Sequence, residues 1–463
     1  MLSPAAAAAA ARSIGTHKLP LPNAFAILLD NDDQDQWPPE AILLVEAYHG
    51  NVRRLKEIAK RMDVDGRGVS SIVRRTNFKG LNALHAATGG KGVLPICRYL
   101  VEEAKMDVNQ RDTFNGKKMT PLQHAVYAGN LPAVRYLLDH GANLHQEEDT
   151  KGHYGFTALH TAAKKGCCAI AKFLLSRGAY VDGKSCHAAT PVHLAVLGGH
   201  DSTLKILLDY NADPNKEVTL LTPLVAALRT PSLSCLKLLI QAGAEVNGNG
   251  TPLAVAARKG LTEAIKCLLE AGANPNTPNV FGRIPIELAA VYGTREDVEI
   301  LFPFTSPIPS VTNWSVEGII NHVKQERKQL EDDDFVEAKM SELKNQGDDA
   351  LGKQDYINAS AFYTQAMRVD GFDAELFSNR SLCWLHAGDG RRALQDAAWC
   401  QVLRPNWVKG HLREGQALIL LKDYKKACDI LAEGLQLDPL NDELDKLYWE
   451  AMDLKDADVE AAY

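Results

Sequence analysis

The sequence predicts an all-α protein built as two consecutive α-solenoids. Three observations carry that expectation. One motif returns at a spacing of about 33 residues between Asn77 and Phe302. A second, unrelated motif returns every 34 residues between Met340 and Asn441. In neither region can one unit bury its own apolar face, so the units must stack to fold.

The chain has 463 residues, 46% of them apolar and 24% charged, which is ordinary for folded protein and excludes a wholly disordered or collagen-like chain. A net charge of −7 argues against a nucleic-acid-coating surface. No run of about 18 apolar residues occurs, so no transmembrane insertion is expected. Nine cysteines, scattered without C-x-x-C spacing, fit a reducing compartment.

Residues 1–36 are expected to form a disordered low-complexity tail. Ala5 to Ala11 is a poly-alanine run, and the basic Arg12 and Lys18 follow it, the reverse of a secretory signal. A Ser/Ala-rich transit peptide is the alternative reading. Pro20, Pro22 and the acidic Asp30, Asp32, Asp33 and Asp35 complete a segment with little to bury.

The first repeat occupies 37–302, as an amino-terminal cap from about Glu40 to Met62 and seven units. Its core reads Asn82-Ala83-Leu84-His85-Ala86-Ala87, then Thr120-Pro121-Leu122-Gln123-His124-Ala125, then Thr157-Ala158-Leu159-His160-Thr161-Ala162. Thr190-Pro191-Val192-His193, Thr222-Pro223-Leu224, Thr251-Pro252-Leu253 and Ile284-Pro285-Ile286 continue it. Thr caps a helix and Pro fits its first turn. A second signature closes each unit, as in Leu137-Leu138-Asp139-His140-Gly141-Ala142-Asn143 and Leu268-Leu269-Glu270-Ala271-Gly272-Ala273-Asn274. There Gly supplies the left-handed residue that stops the second helix. This pattern resembles the ankyrin repeat.

The second repeat occupies 340–441 as three units starting at Met340, Ala374 and Val408. Equivalent positions carry Gly347, Ser381 and Gly415, then Ala359, Ala393 and Ala427, then Gly371, Pro405 and Pro439. Small residues let paired helices approach closely, and Tyr356, Tyr363 and Tyr424 fill the remaining space. Gly390 stands where an aromatic is usual. The pattern resembles the tetratricopeptide (TPR) repeat. Residues 442–463 read as a capping helix and tail. Residues 303–339 read as a Pro-containing linker with a helical segment from Ser315, interrupted near Glu331 to Asp334.

Several features invite a chemical reading and are assigned to structure instead. His85, His124, His160 and His193 recur once per repeat, 33 to 39 residues apart. The ankyrin resemblance implies that they bond to backbone of neighbouring repeats. Gly89-Gly90-Lys91-Gly92 lacks the spacing of a phosphate loop. Cys167 and Cys168 are read as helix-packing residues. No nucleophile–base constellation is present, so no enzyme, cofactor or metal is expected.

One constellation does point to binding. In chaperone-binding TPR proteins a carboxylate clamp grips the C-terminal Glu-Glu-Val-Asp of Hsp70 and Hsp90. Its pattern is Lys-x-x-x-Asn, Asn-Arg-Ser and Lys-x-x-x-Arg in successive units. This chain carries Lys344-Asn345-Gln346-Gly347-Asp348, Asn379-Arg380-Ser381 and Lys409-Gly410-His411-Leu412-Arg413. The resemblance thus implies Lys344, Asn379, Lys409 and Arg413 as peptide carboxylate-binding residues. Asp348 departs from the family's Asn. Either Asp348 pairs with Lys344 one turn earlier, or it selects a different ligand terminus. From Met340 onward there are 14 Lys and Arg against 22 Asp and Glu, a net of −8, so only a local basic cluster can attract an acidic peptide. Residues four apart share a helix face, which lets Lys409 and Arg413 serve one groove.

The ankyrin family binds proteins through its hairpin fingers. Here the fingers Asn109–Thr120 and Leu144–Thr157 are long and Asn247–Thr251 is short. Insertions in solenoids fall on one face, often the binding face. Arg111, Phe114, Lys117, Lys118, His153 and Tyr154 are therefore candidate partner-binding residues; tolerated loop variation is the competing reading. The whole chain after the tail resembles ankyrin–TPR proteins of plants and the TPR co-chaperone family. That resemblance implies a non-enzymatic adaptor in the cytoplasm, with nuclear entry open. Its TPR groove would bind the Hsp70 or Hsp90 tail and its ankyrin array an unidentified protein. The alternatives are a scaffold for a different peptide, or the regulatory subunit of an enzyme.

Overall fold

The computed structural model describes residues 37–90, 93–114, 118–145, 155–183, 185, 189–218, 221–230, 232–248 and 250–461. The amino-terminal tail therefore lies outside the described residues, as do Lys91 and Gly92. The described chain is helical apart from one short hairpin, β1 (Asn77–Phe78) with β2 (Leu81–Asn82), and an isolated bridge between Val218 and Leu221. It divides into two compact units between Glu245 and Val246.

The first unit opens with α1 (Pro39–Tyr48), α2 (Val52–Met62) and α3 (Val69–Arg75). Helix pairs follow: α4 (Ala83–Gly89) with α5 (Val93–Arg98), and α6 (Pro121–Tyr127) with α7 (Leu131–Asp139). Next come α8 (Ala158–Lys165) with α9 (Cys168–Ser176), and α10 (Pro191–Leu197) with α11 (Asp201–Asp209). The pair α12 (Pro223–Arg229) and α13 (Leu233–Gln241) closes the unit. Four of the first helices start as the motif predicts, with caps from Asn82, Thr120, Thr157 and Thr222, whereas the Thr190 hydroxyl meets His193 Nδ1 at 2.9 Å instead. The Asn82, Thr120 and Thr157 side chains each accept from the backbone N–H three residues on, and the residue there answers back in a capping box.

The repeat histidines explain themselves in this geometry. The Asn82 and Thr157 N–H groups donate to Nδ1 of His85 and His160, at 3.3 and 3.2 Å. The opposite nitrogen, Nε2, then reaches the next finger: His85 to the Gln110 carbonyl at 2.9 Å, His160 to that of Gly183 at 2.9 Å, and His193 to that of Leu221 at 2.9 Å. One ring thus ties a helix start to the following repeat, and only a neutral imidazole can accept on one side and donate on the other. Burial agrees, pushing His85 down to about 3 and His160 and His193 to about 4. His124 departs from the expectation. Its Nε2 meets a side chain, Asp112 Oδ2, at 2.6 Å, because Asp112 is buried in the finger just before it.

Fingers are also laced to one another. Asn109 Nδ2 donates to the Gly141 carbonyl at 3.1 Å and its Oδ1 accepts from Asn143 N–H at 2.7 Å; Asn215 repeats the pattern with Gly243 and Glu245. The stapling Asn lies two residues after the Asn or Asp of the closing signature, which itself serves as the turn residue. Cys168 does pack between helices, its Sγ 3.1 Å from Thr203 Oγ1.

The second unit contains α14 (Pro252–Arg258), α15 (Thr262–Glu270), α16 (Pro285–Tyr292) and α17 (Arg295–Leu301). Thr251 does not cap α14: its finger is so short that Gly250 and Thr251 are both forced to positive φ, and the hydroxyl makes no capping bond. A 3₁₀ turn (Phe302–Phe304) leads to α18 (Val316–Gln329), capped by Ser315 and packed on α16. The helix α19 (Asp333–Gly352), capped by Asp332, starts upstream of Met340. Paired helices follow: α20 (Tyr356–Val369), α21 (Ala374–His386), α22 (Gly390–Leu403), α23 (Val408–Leu420), α24 (Tyr424–Leu437) and the capping helix α25 (Asp442–Ala461). Ala374 and Val408 are the first residues of α21 and α23, as the 34-residue frame requires.

Within this unit the last ankyrin finger plugs into the helical array that follows it. Phe281 meets Phe377 edge-on at 6.1 Å and Trp399 at 5.6 Å. Arg368 donates to the Gly282 carbonyl at 2.9 Å and pairs with Glu287, and Arg283 pairs with Glu326 of α18 at 3.0 Å. A Cβ on Gly371 would lie 2.7 Å from the Phe281 ring, so the closing position here must be the smallest residue rather than the proline of the other units.

Candidate peptide-binding groove

Helices α19, α21 and α23 carry the clamp positions. Lys344 and Asp348 lie one turn apart on α19, Asn379 sits on α21, and Lys409 and Arg413 lie one turn apart on α23. Close packing holds these helices. A Cβ on Gly347 would lie 2.6 Å from the Tyr363 ring, and one on Gly415 would lie 2.4 Å from Leu431.

Arg413 is 8% exposed. Its Nη1 donates to Gln416 Oε1 at 2.8 Å, and its Nε has no partner. No carboxylate among the described residues is within ion-pair distance. Burial holds its guanidinium below the usual range, and the charge of Glu443 opposes this through space. Lys409 is exposed and forms no ion pair among the described residues. Neither cation therefore has a direct ion-pair partner among the described residues.

Lys344 and Asp348 are differently placed, and the expected pairing between them does not form. Lys344 Nζ pairs with Asp373, the capping residue of α21. Asp348 Oδ1 accepts from the Tyr363 hydroxyl at 2.6 Å. Burial and the Asp348 carboxylate push Tyr363 upward, so it stays a neutral donor, and the Asn379 side chain interacts with the same hydroxyl. Tyr363 and Asp373 were not in the expected set. Tyr363 was legible only as a packing aromatic, and Asp373 only as a helix cap.

Beside the groove, Glu414 on α23 accepts from Gln401 Nε2 at 2.7 Å. Burial, reinforced by Glu433, pushes it up to about 7.

Of the expected finger residues, Arg111, Phe114 and Lys118 are half-buried, while Lys117, His153 and Tyr154 lie outside the described residues. The finger leans back on the β1–β2 turn, where Thr113 N–H donates to the Gly80 carbonyl at 3.0 Å. Gly80 has φ +89°, and a Cβ there would lie 2.7 Å from the Phe114 nitrogen, so only glycine fits. Among the described residues no cluster of His, Cys, Asp and Glu could hold a metal ion, and no helix is long and apolar enough to cross a membrane.

Stacked helix pairs joined by laced fingers, followed by a second array of packed helix pairs, define a two-solenoid repeat protein. The family described as "Ankyrin repeats (3 copies)" matches residues 43–148, 91–185, 183–250 and 224–308, more than half of the chain. The chain belongs to the ankyrin-repeat family. Its C-terminal region is similar to TPR co-chaperones. The Hsp70-Hsp90 organizing protein of Triticum aestivum is 32% identical over 126 residues, 27% of this chain and 22% of that protein. The heat shock protein sti1 homolog of Schizosaccharomyces pombe is 42% identical over 103 residues, 22% of this chain and 17% of that protein. The chain thus spans about a fifth of the length of these relatives. Among solved structures, the human ASB11 ankyrin repeat domain matches 49% of this chain and 98% of that one, at 30% identity and a TM-score of 0.43. The identified domains are protein-binding repeats.

Proposed function

We propose that the protein is a non-enzymatic adaptor whose TPR-like groove binds the free C-terminal carboxylates of an acidic peptide, the Glu-Glu-Val-Asp tail of Hsp70 or Hsp90 being the expected ligand. One observation carries this reading. Among the described residues, Arg413 is a buried guanidinium with no carboxylate within ion-pair distance, one turn from Lys409, which has no ion pair there either. A buried charge without a partner is costly, and a ligand carboxylate would relieve that cost. Asn379 adds an amide donor. Lys344 joins by exchanging Asp373 for the ligand. A few charge-assisted bonds, less the ordering of the peptide, correspond to a Kd on the order of micromolar to tens of micromolar. The similarity to the Hsp70-Hsp90 organizing protein supports the same ligand class. The ankyrin array would hold a second protein in the cytoplasm, through fingers that include Arg111, Phe114, Lys117, Lys118, His153 and Tyr154.

The test is calorimetric titration of the full-length chain with a peptide ending Glu-Glu-Val-Asp, against the same peptide amidated at its C-terminus. The full chain is used because Phe281 and Arg368 join the last ankyrin finger to the groove-bearing array. Micromolar binding that amidation removes supports the reading, and absence of binding to either peptide overturns it. A second reading, a scaffold for another peptide terminus, is favoured by Asp348. Its carboxylate stands where the clamp has an amide, and Lys344 is already engaged.

A further inference from the structure

The amino-terminal end of the ankyrin array carries a site unrelated to the groove. Residues 52–75 hold eight Lys and Arg against three Asp and Glu, a basic patch in a chain of net charge −7. Arg53, Lys56 and Lys60 share one face of α2 at intervals of three and four residues. They border an open surface depression of about 430 Å³ with Glu57, Val69, Ser70, Tyr99 and Glu103.

Two further observations make this more than a solvated helix face. Tyr99 is 3% exposed and lines the depression, yet its hydroxyl makes no well-aligned hydrogen bond, although Ser70 lies beside it. Buried hydroxyls are normally satisfied, and an unsatisfied one is a donor waiting for an acceptor. Tyr99 also opens a π-helical turn, Tyr99–Glu103, at the end of α5. Such local widenings cost regularity and concentrate at functional sites.

The charges fit an oxyanion. Lys56 Nζ sits 4.1 Å from the centre of the Tyr99 ring and pairs with Glu103 at 2.9 Å; Arg53 pairs with Glu57 at 3.2 Å. Lys60 is exposed and has no ion pair among the described residues. Three cations against two carboxylates leave the rim positive, with one ammonium uncommitted. Burial raises Tyr99 above its ordinary range, so its hydroxyl keeps its proton and can donate. Lys60, Lys56, Arg53, Tyr99 and Ser70 together offer more donors than one planar carboxylate can use. A phosphoryl group, with three acceptor oxygens and a charge near −2, matches such a donor set better.

We infer that this depression is a binding site for a phosphorylated side chain of a partner polypeptide. Tyr99 and Ser70 would meet the phosphoryl oxygens at the floor, and Lys60 and Lys56 would supply the charge. The test is calorimetry of the full-length chain with the peptide Gly-Ala-X-Ala-Gly, where X is phosphoserine or phosphotyrosine, against its unphosphorylated form and inorganic phosphate. At least one phosphopeptide is expected to bind at least tenfold more tightly than its unphosphorylated form. Lys60→Ala and Tyr99→Phe should each weaken it fivefold or more. Tyr99→Phe should leave the melting temperature unchanged or raise it, because it removes an unsatisfied buried hydroxyl. Equal affinity for phosphorylated and plain peptides overturns the inference. So does binding of inorganic phosphate alone, or affinity unchanged in both variants. A melting temperature lowered by several degrees in Tyr99→Phe also counts against it, since the hydroxyl would then be structural.

Discussion

Two arginines on the first helices of successive units of the C-terminal array are buried to a similar degree and are treated in opposite ways. Arg380 on α21 is 4% exposed and Arg413 on α23 is 8% exposed. Arg380 makes two hydrogen bonds to Asp396, at 2.8 and 2.7 Å, and a third to Thr364 Oγ1 at 2.8 Å. Among the described residues Arg413 bonds to the Gln416 amide oxygen and to no carboxylate. A guanidinium answered by a carboxylate inside the fold is a joint between helices. One left unanswered gains most from an anion brought from outside, which is the basis for assigning Arg413 to ligand binding. His85, His160 and His193 are a third case: burial keeps them neutral, and both ring nitrogens are engaged.

The contrast predicts a graded set of effects. Arg380→Ala should cost about 3–5 kcal/mol, because it strands the buried Asp396. Urea unfolding followed by tryptophan fluorescence reads this, and a loss under about 1 kcal/mol would erase the distinction between the two arginines.

Acid should act next, on the ankyrin histidines. Their folded pKa values, about 3 for His85 and about 4 for His160 and His193, lie below the ordinary value of 6.5. The unfolded chain therefore takes up protons first as pH falls. Their contribution is complete above about pH 6.5 and declines toward pH 4, by about 2 kcal/mol per histidine at pH 5. Urea midpoints measured at pH 7 and pH 5 check this. His193→Gln should flatten the difference, and a difference unchanged by that substitution would assign the acid effect elsewhere.

Arg413→Met should change stability by no more than about 1 kcal/mol, since it removes an unpaired charge while keeping volume. The same variant should weaken a Glu-Glu-Val-Asp peptide at least tenfold in calorimetry. A strongly destabilised variant with intact binding would make Arg413 a second Arg380. The smallest effect is expected for Asp348→Asn, which removes a repulsion of about 1 kcal/mol and should tighten the same peptide about fivefold. The Tyr363 hydroxyl can still donate to the new amide oxygen, so the fold should be unaffected.

Much of the molecule was legible before folding. Two periods, Thr-Pro helix starts, Gly-Ala-Asn stops and the small residues Gly347, Ala359, Ala393, Gly415 and Ala427 report local geometry, which depends on neighbours a few residues away. The pairing of Lys409 with Arg413 on one face follows from helix pitch alone. Tertiary structure decided the rest. It gave Lys344 to Asp373, 29 residues away, and Asp348 to Tyr363, 15 away, where helical spacing had offered the two to each other. It turned His124 from backbone to Asp112, and it joined Arg368 to Glu287 across 81 residues. Local sequence settles which face a side chain occupies. Only the stacking of helices settles which distant charge stands opposite, and that choice separates the arginine that holds the array together from the one left open.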